Sequence, residues 1–169
     1  MEFQEYFVRN QCEPAVTGLR YEGAEKARLL PDIHSALLNP DLQSVIISPS
    51  NPFLSIAPIL AIPEFQHQLA NCRAPRVAVS PMMGAKAFKG PTAKIMRELG
   101  YEMSSYTVAS YYSPNLIDGI IIDTTDSDLA PRIEKLGIQT YITDTLMNSF
   151  SEKKRLATEV IQFAESLQK

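Results

Sequence analysis

Four short apolar runs constrain this chain most: SVIIS (Ser44–Ser48), RVAVS (Arg76–Ser80), GIIID (Gly119–Asp123) and QTYIT (Gln139–Thr143). Each is bounded by turn residues, and their β-branched content favours strand over helix. Between them lie segments of helical period at Pro31–Leu38, Pro63–Asn71, Pro91–Leu99 and Leu129–Leu136. Several open on proline, whose missing N–H would be unpaired in a first helical turn anyway. Gly100 and Gly137 each follow a helical stretch, where glycine takes the left-handed cap at least cost. A last helix, Ser151–Gln168, opens on a serine cap and puts Leu156, Val160, Phe163 and Leu167 on one face. Repeated strand–helix–strand units require right-handed crossovers and a parallel sheet, so the fold is predicted to be α/β.

The start of the chain reads differently. Phe3, Tyr6 and Phe7 predict an amphipathic helix, and Ala15–Tyr21 a strand leading into a turn at Glu22–Gly23. The chain enters structured sequence without a polar lead-in, as a part of something larger would. Its 169 residues fit one domain with a real core. The net charge of −3, with Lys and Arg scattered, offers no basic stripe for nucleic acid, although a single nucleotide remains open. The longest apolar stretch, Ile56–Pro63, is broken by Pro58 and is too short to cross a bilayer, so no membrane partner is expected. The N-terminus lacks the basic-then-apolar order of a secretory signal. Cys12 and Cys72 have neither CxxC spacing nor an adjacent His, which argues against zinc or a disulfide framework. A cytoplasmic location is expected.

In a parallel sheet, ligands collect at the carboxyl ends of the strands. The first loop there, SPSNPFLSIAPIL (Ser48–Leu60), is stiffened by three prolines and supplies neutral donors from Ser48, Ser50, Asn51 and Ser55. It suits phosphate or base recognition, and equally it suits a proline-rich turn whose hydroxyls cap the next helix. The second loop, SPMMGAKAFKGPTAK (Ser80–Lys94), offers Gly84 and Gly90 for close backbone approach and Lys86 and Lys89 as point charges for an anion. It lacks the GxxxxGK[ST] order of a Walker motif. Spacing alone reads as a solvated lysine pair. The shared Ser-Pro endings of two consecutive strands favour one rim for both loops.

Two further loops, DTTDSD (Asp123–Asp128) and TDT (Thr143–Thr145), place Asp123 and Asp144 after strands. Either aspartate suits Mg²⁺ or a ribose hydroxyl, but capping is the commoner role for this residue type. Asp126 and Asp128 read as a solvated turn. His34 and His67 sit on predicted surface helices without acidic or cysteine partners in register. Tyr106, Tyr111 and Tyr112 fit either a pocket for a flat ring or ordinary packing.

The strings FQEYFVRNQCEP, SPSNPFLSIAPILAIP, VAVSPMMGAKAFKGPTAKIMRELG, DGIIID and TDTLM follow one another along essentially the whole chain. In this order they resemble the 2-phospho-L-lactate transferase family of coenzyme F-420 biosynthesis, and specifically its C-terminal half. The resemblance implies a Rossmann-like, mostly parallel sheet with flanking helices, incomplete at its N-terminus. It makes residues 1–169 the C-terminal part of a single Rossmann-like domain. The implied donor is a guanosine-diphosphate-activated lactate or enolpyruvate, and the acceptor is the deazaflavin precursor of coenzyme F-420. GMP leaves, with Mg²⁺ offsetting charge.

By the same resemblance Ser48, Ser50, Asn51, Pro52 and Ser55 belong to the nucleotide-donor side of the cleft. Lys89, Gly90 and Gly84, with Lys86, match the family's second glycine- and lysine-bearing loop. The family's glycine-rich phosphate loop and its metal-associated acidic residues belong to an N-terminal part that is not in this sequence. Catalytic residues are therefore not assigned, and the partner expected is that missing half or a second copy of the chain. Ala57 and Ala85 stand where the family usually has Gly, and Glu64 replaces a further Gly. The alternative is a nucleotide- or nucleotide-sugar-binding regulator of the same superfamily. An isolated monomer is expected to be poorly stable, because a sheet without its neighbours exposes apolar edges.

Overall fold

The computed structural model describes residues 1–84, 86–87 (backbone only), 90–112 and 115–168. Along strands β2 (Arg76–Val79) and β5 (Gly119–Asp123) the side chains alternate between two apolar clusters. Val77, Val79 and Ile121 join one cluster, and Ala78, Ile120 and Ile122 the other. Such a sheet must be covered on both faces, which explains why these strands are apolar throughout rather than alternating with polar residues.

The sheet has four parallel strands in the order β1 (Val45–Ile47), β2, β5, β6 (Gln139–Thr143). The first face is covered by α2 (Ala57–Leu60), α3 (Pro63–Ala70), α4 (Thr92–Glu98), α5 (Ser105–Tyr112) and α6 (Ala130–Glu134). The second is covered by α7 (Phe150–Ser166), through Leu156, Val160, Phe163 and Ala164. Burying each of the first three contributes about 2 kcal/mol. Gly119 makes room for that helix: a Cβ there would lie 2.7 Å from Leu167 Cδ1 and from Phe163 Cε1. Ser149 and Glu152 close a capping box at the start of α7. Over β1 this second face stays open, and Ile46 is 42% exposed. The remaining regular elements are α1 (Pro31–Leu38) and a two-residue hairpin, β3 (Met82–Met83) with β4 (Lys86–Ala87).

Several expectations are corrected. Ala15–Tyr21 is not a strand: residues 15–20 have no ladder partner, and Tyr21 begins a turn. The N-terminal helix is present over residues 3–9, with π geometry from Glu5 to Arg9, but it buries only Tyr6 and leaves Phe3 and Phe7 stacked and exposed. Asp126 is not solvated: the chain after β5 winds into a 3-10 turn, Thr124–Leu129, that carries it inside. That turn also delays α6 to Ala130. Helix α5 and the hairpin were not predicted. SYTVASYY has little helix propensity, and burial of Val108, Ala109 and Tyr112 decides its form.

Candidate functional site

β1 and β2 pair in parallel with Ile47 beside Ala78, so the loops that follow them leave the sheet side by side. In the first loop Asn51 caps the next turn, its Oδ1 accepting the N–H groups of Phe53 (2.9 Å) and Leu54 (3.0 Å). The chain then winds through a π-turn, Pro52–Ile56, into α2. Asn51 Nδ2 is buried and has no hydrogen-bond partner among the described residues. A buried amide left this way costs about 1–3 kcal/mol. The cap is thus the asparagine and not a serine. The hydroxyls of Ser48, Ser50 and Ser55 bond to no described residue, and Ser48 and Ser55 are exposed. Pro52 and Phe53 are buried, and the Phe53 ring packs on Tyr111 and Tyr101. Ala57 is buried at the start of α2, and Glu64 accepts the Leu29 N–H at 3.1 Å, a bond no glycine could make.

The second loop is the β3–β4 hairpin. Gly84 and Gly90 both have positive φ (61° and 71°), yet a Cβ at either would meet nothing within 4 Å. Backbone shape, not crowding, calls for glycine at both. Lys89, Ala85 and the Lys86 side chain lie outside the described residues. A buried polar chain underlies the hairpin. Ser80 Oγ accepts the Met82 N–H (3.1 Å), Ser80 and Ser105 hydroxyls bond at 2.8 Å, and Ser105 donates to Asp126 Oδ2 at 2.6 Å. The Gly84 backbone N–H is close enough to act on this carboxylate as well. Burial raises the Asp126 pKa; Ser105 and Gly84 oppose that, and the neighbouring Asp123 charge adds to it. Nothing in the sequence signals this trio, because its members come from the end of β2, the first residue of α5 and the turn after β5.

Asp123 ties the third and fourth loops together. Its Oδ1 accepts the Thr125 N–H (2.9 Å) and hydroxyl (2.7 Å), and its Oδ2 the Thr145 N–H and hydroxyl (both 3.0 Å). Burial alone would raise its pKa, but these four bonds outweigh it and hold the value below the ordinary 3.8. A group depressed on folding contributes stability that is present above its unfolded value and lost as pH falls through the folded one. Unfolding followed from pH 6 to about pH 2 should show this loss in the parent, flattened in Asp123→Asn; parallel curves would contradict it.

Asp144 Oδ1 caps Leu146 at 2.8 Å, the ordinary turn role. Among the described residues no group of three or more His, Cys, Asp or Glu stands together. His67 is exposed beside Asn71, and His34 is half-buried on α1. Tyr112 belongs to the core. Tyr106 and Tyr111, with Tyr101 and Arg132, line a cleft of about 470 Å³, where the Arg132 guanidinium lies 3.5 Å from the Tyr106 ring centroid. A second groove, about 720 Å³, runs between the N-terminal segment and the first loop. No helix among the described residues is long and apolar enough to cross a membrane.

A parallel α/β sheet with its polar loops gathered at the carboxyl ends of adjacent strands defines a Rossmann-like protein. More particularly, the chain belongs to the 2-phospho-L-lactate transferase CofD family, whose model matches residues 1–163. It is 39% identical over 169 residues to a 2-phospho-L-lactate transferase of Methanopyrus kandleri, covering 99% of this chain and 52% of that protein. A 2-phospho-L-lactate transferase of Methanosarcina barkeri is 35% identical over 167 residues, again covering 99% and 52%. A phosphoenolpyruvate transferase of Streptomyces coelicolor is 30% identical at the same coverage. The chain therefore spans about half the length of the curated relatives it matches.

Proposed function

We propose that this chain supplies the donor-side half of a transferase that passes a phospholactyl or phosphoenolpyruvyl group to the deazaflavin precursor of coenzyme F-420. The acceptor's terminal hydroxyl oxygen bonds to the phosphorus carrying the three-carbon group. The bridging P–O bond to GMP breaks, and the hydroxyl proton is released. Catalysis of this kind rests on positioning and on neutralising charge on the phosphoryl oxygens. The observation that carries the reading is the buried, unpartnered Asn51 amide in the first of two family loops on adjacent strand ends. Ser48, Ser50 and Ser55 add hydroxyls from the same loop, Pro52 holds the turn, and Lys86 and Lys89, with Gly84 and Gly90, are assigned to the donor phosphates by their match to the family's second loop. Magnesium ligands and the catalytic groups come from the part of the relatives' length that this chain does not span.

Asn51→Asp tests the reading, because aspartate keeps the acceptor that caps Phe53 and Leu54 but removes the donor. With the remaining half of the relatives' fold supplied, affinity for a guanosine-diphosphate-activated donor should fall about tenfold or more while the melting transition holds. Unchanged donor affinity would take the first loop out of the donor site.

A further inference from the structure

Residues 15–20 form no helix, turn, bend or ladder, and no backbone–backbone hydrogen bond joins them to any described residue. The segment is nevertheless fixed at both ends. Lys94 donates to the Pro14 carbonyl at 2.9 Å, the Val16 N–H to Glu98 at 3.0 Å, and the Tyr21 hydroxyl to the Phe53 carbonyl at 2.7 Å. Between those anchors Thr17, Gly18, Leu19 and Arg20 are exposed, and their backbone groups pair with no described residue. The composition, AVTGLRY, carries strand-forming Val, Thr and Tyr. Beside it lies the 720 Å³ groove, walled in part by Phe3, Phe53, Leu54 and Pro58. A pinned, unpaired backbone next to apolar pockets is what strand addition uses: the main chain supplies the bonds and the pockets supply selectivity.

We propose that Ala15–Tyr21 is a docking strand, paired by a β-strand from the half of the transferase fold that this chain does not carry. The occupant follows from the relatives, of whose length the chain covers 52%. The proposal rests on the reading that this missing half completes the enzyme. It also explains why a strand-like sequence has no ladder here: the partner strand belongs to the other half.

The test co-expresses this chain with the half of the Methanopyrus kandleri relative outside its match, and reads amide hydrogen exchange with and without that half. Residues 17–20 should become protected in the complex. Thr17→Pro and Gly18→Pro remove N–H groups on opposite edges of the segment, and the Gly18 site has open space for a side chain. At least one should weaken association about tenfold, while neither shifts the melting of the chain alone. Protection confined to Val45–Ile47, or full association by both proline variants, would overturn the proposal. So would halves that stay apart, or protection of 15–21 by self-association of this chain. A complex with residues 17–20 protected but no GMP release would leave the docking strand standing and contradict the proposed activity instead.

Discussion

Arg76→Ala is expected to destabilise the chain by about 2–3 kcal/mol, measured by urea or thermal unfolding. The guanidinium grips Asp118 in two places, Nε to Oδ2 at 2.9 Å and Nη2 to Oδ1 at 2.8 Å. Nη1 also donates to the carbonyls of Leu69 and Ala70 (3.1 Å each) and Asn115 (2.6 Å). The end of α3, the start of β2 and the approach to β5 are thereby joined by one side chain that is 11% exposed. The Asp118 bonds raise the Arg76 pKa against the opposing effect of burial. Removing it takes a bidentate partner from a half-buried carboxylate, which keeps the Arg76 N–H at 2.9 Å, and a shared donor from three carbonyls, so the loss exceeds that of a surface ion pair. Lysine should restore less than half of it, since an ammonium cannot match the planar fork. A loss below about 1 kcal/mol would show that water replaces these bonds freely.

Asp126→Ala should cost about 2–3 kcal/mol and loosen the second loop. The carboxylate accepts from Ser105, which bonds Ser80, whose hydroxyl in turn accepts the Met82 N–H at the start of the hairpin. Amide exchange at Met82 and Gly84 should quicken in the variant. Its pH dependence runs opposite to that of Asp123. Because folding raises the Asp126 pKa, its contribution is fully present below the ordinary 3.8 and is lost as pH rises through the folded value. Asp126→Asn keeps an acceptor for Ser105 and should abolish that pH-dependent loss. Unchanged exchange at Met82 and Gly84 in both variants would mean the hairpin holds itself.

What could be read from the sequence divides along physical lines. All four strands of the main sheet announce themselves through β-branched runs. The inner two, β2 and β5, are also apolar through their middles because both of their faces are buried, whereas the edge strands β1 and β6 stay partly exposed and β6 keeps polar positions. The α7 face of Leu156, Val160 and Phe163 is equally plain from its period. Local signals failed where the outcome depends on distant partners. Ala15–Tyr21 has strand chemistry without a ladder, and α5 is helical because Val108 and Tyr112 are buried, not because SYTVASYY favours helix. Of the site, the sequence showed which loops hold polar residues. It could not show that Asn51 would cap the turn and keep a spare donor, nor that Asp126 would leave the solvent to bond Ser105. Those facts depend on how side chains far apart in the chain meet.

The central claim is that this chain is the donor-side half of a phospholactyl-type transferase. The measurement that tests it most directly is GMP release from a guanosine-diphosphate-activated lactate or enolpyruvate, with Mg²⁺ and the deazaflavin acceptor. It is run on this chain alone, on the remaining half of a relative alone, and on the two together. The account predicts turnover only in the mixture, abolished when the deazaflavin is omitted. Turnover by this chain alone would show that its own loops suffice. Donor binding without any acceptor-dependent GMP release in the mixture would contradict the claim and favour a nucleotide-binding regulator.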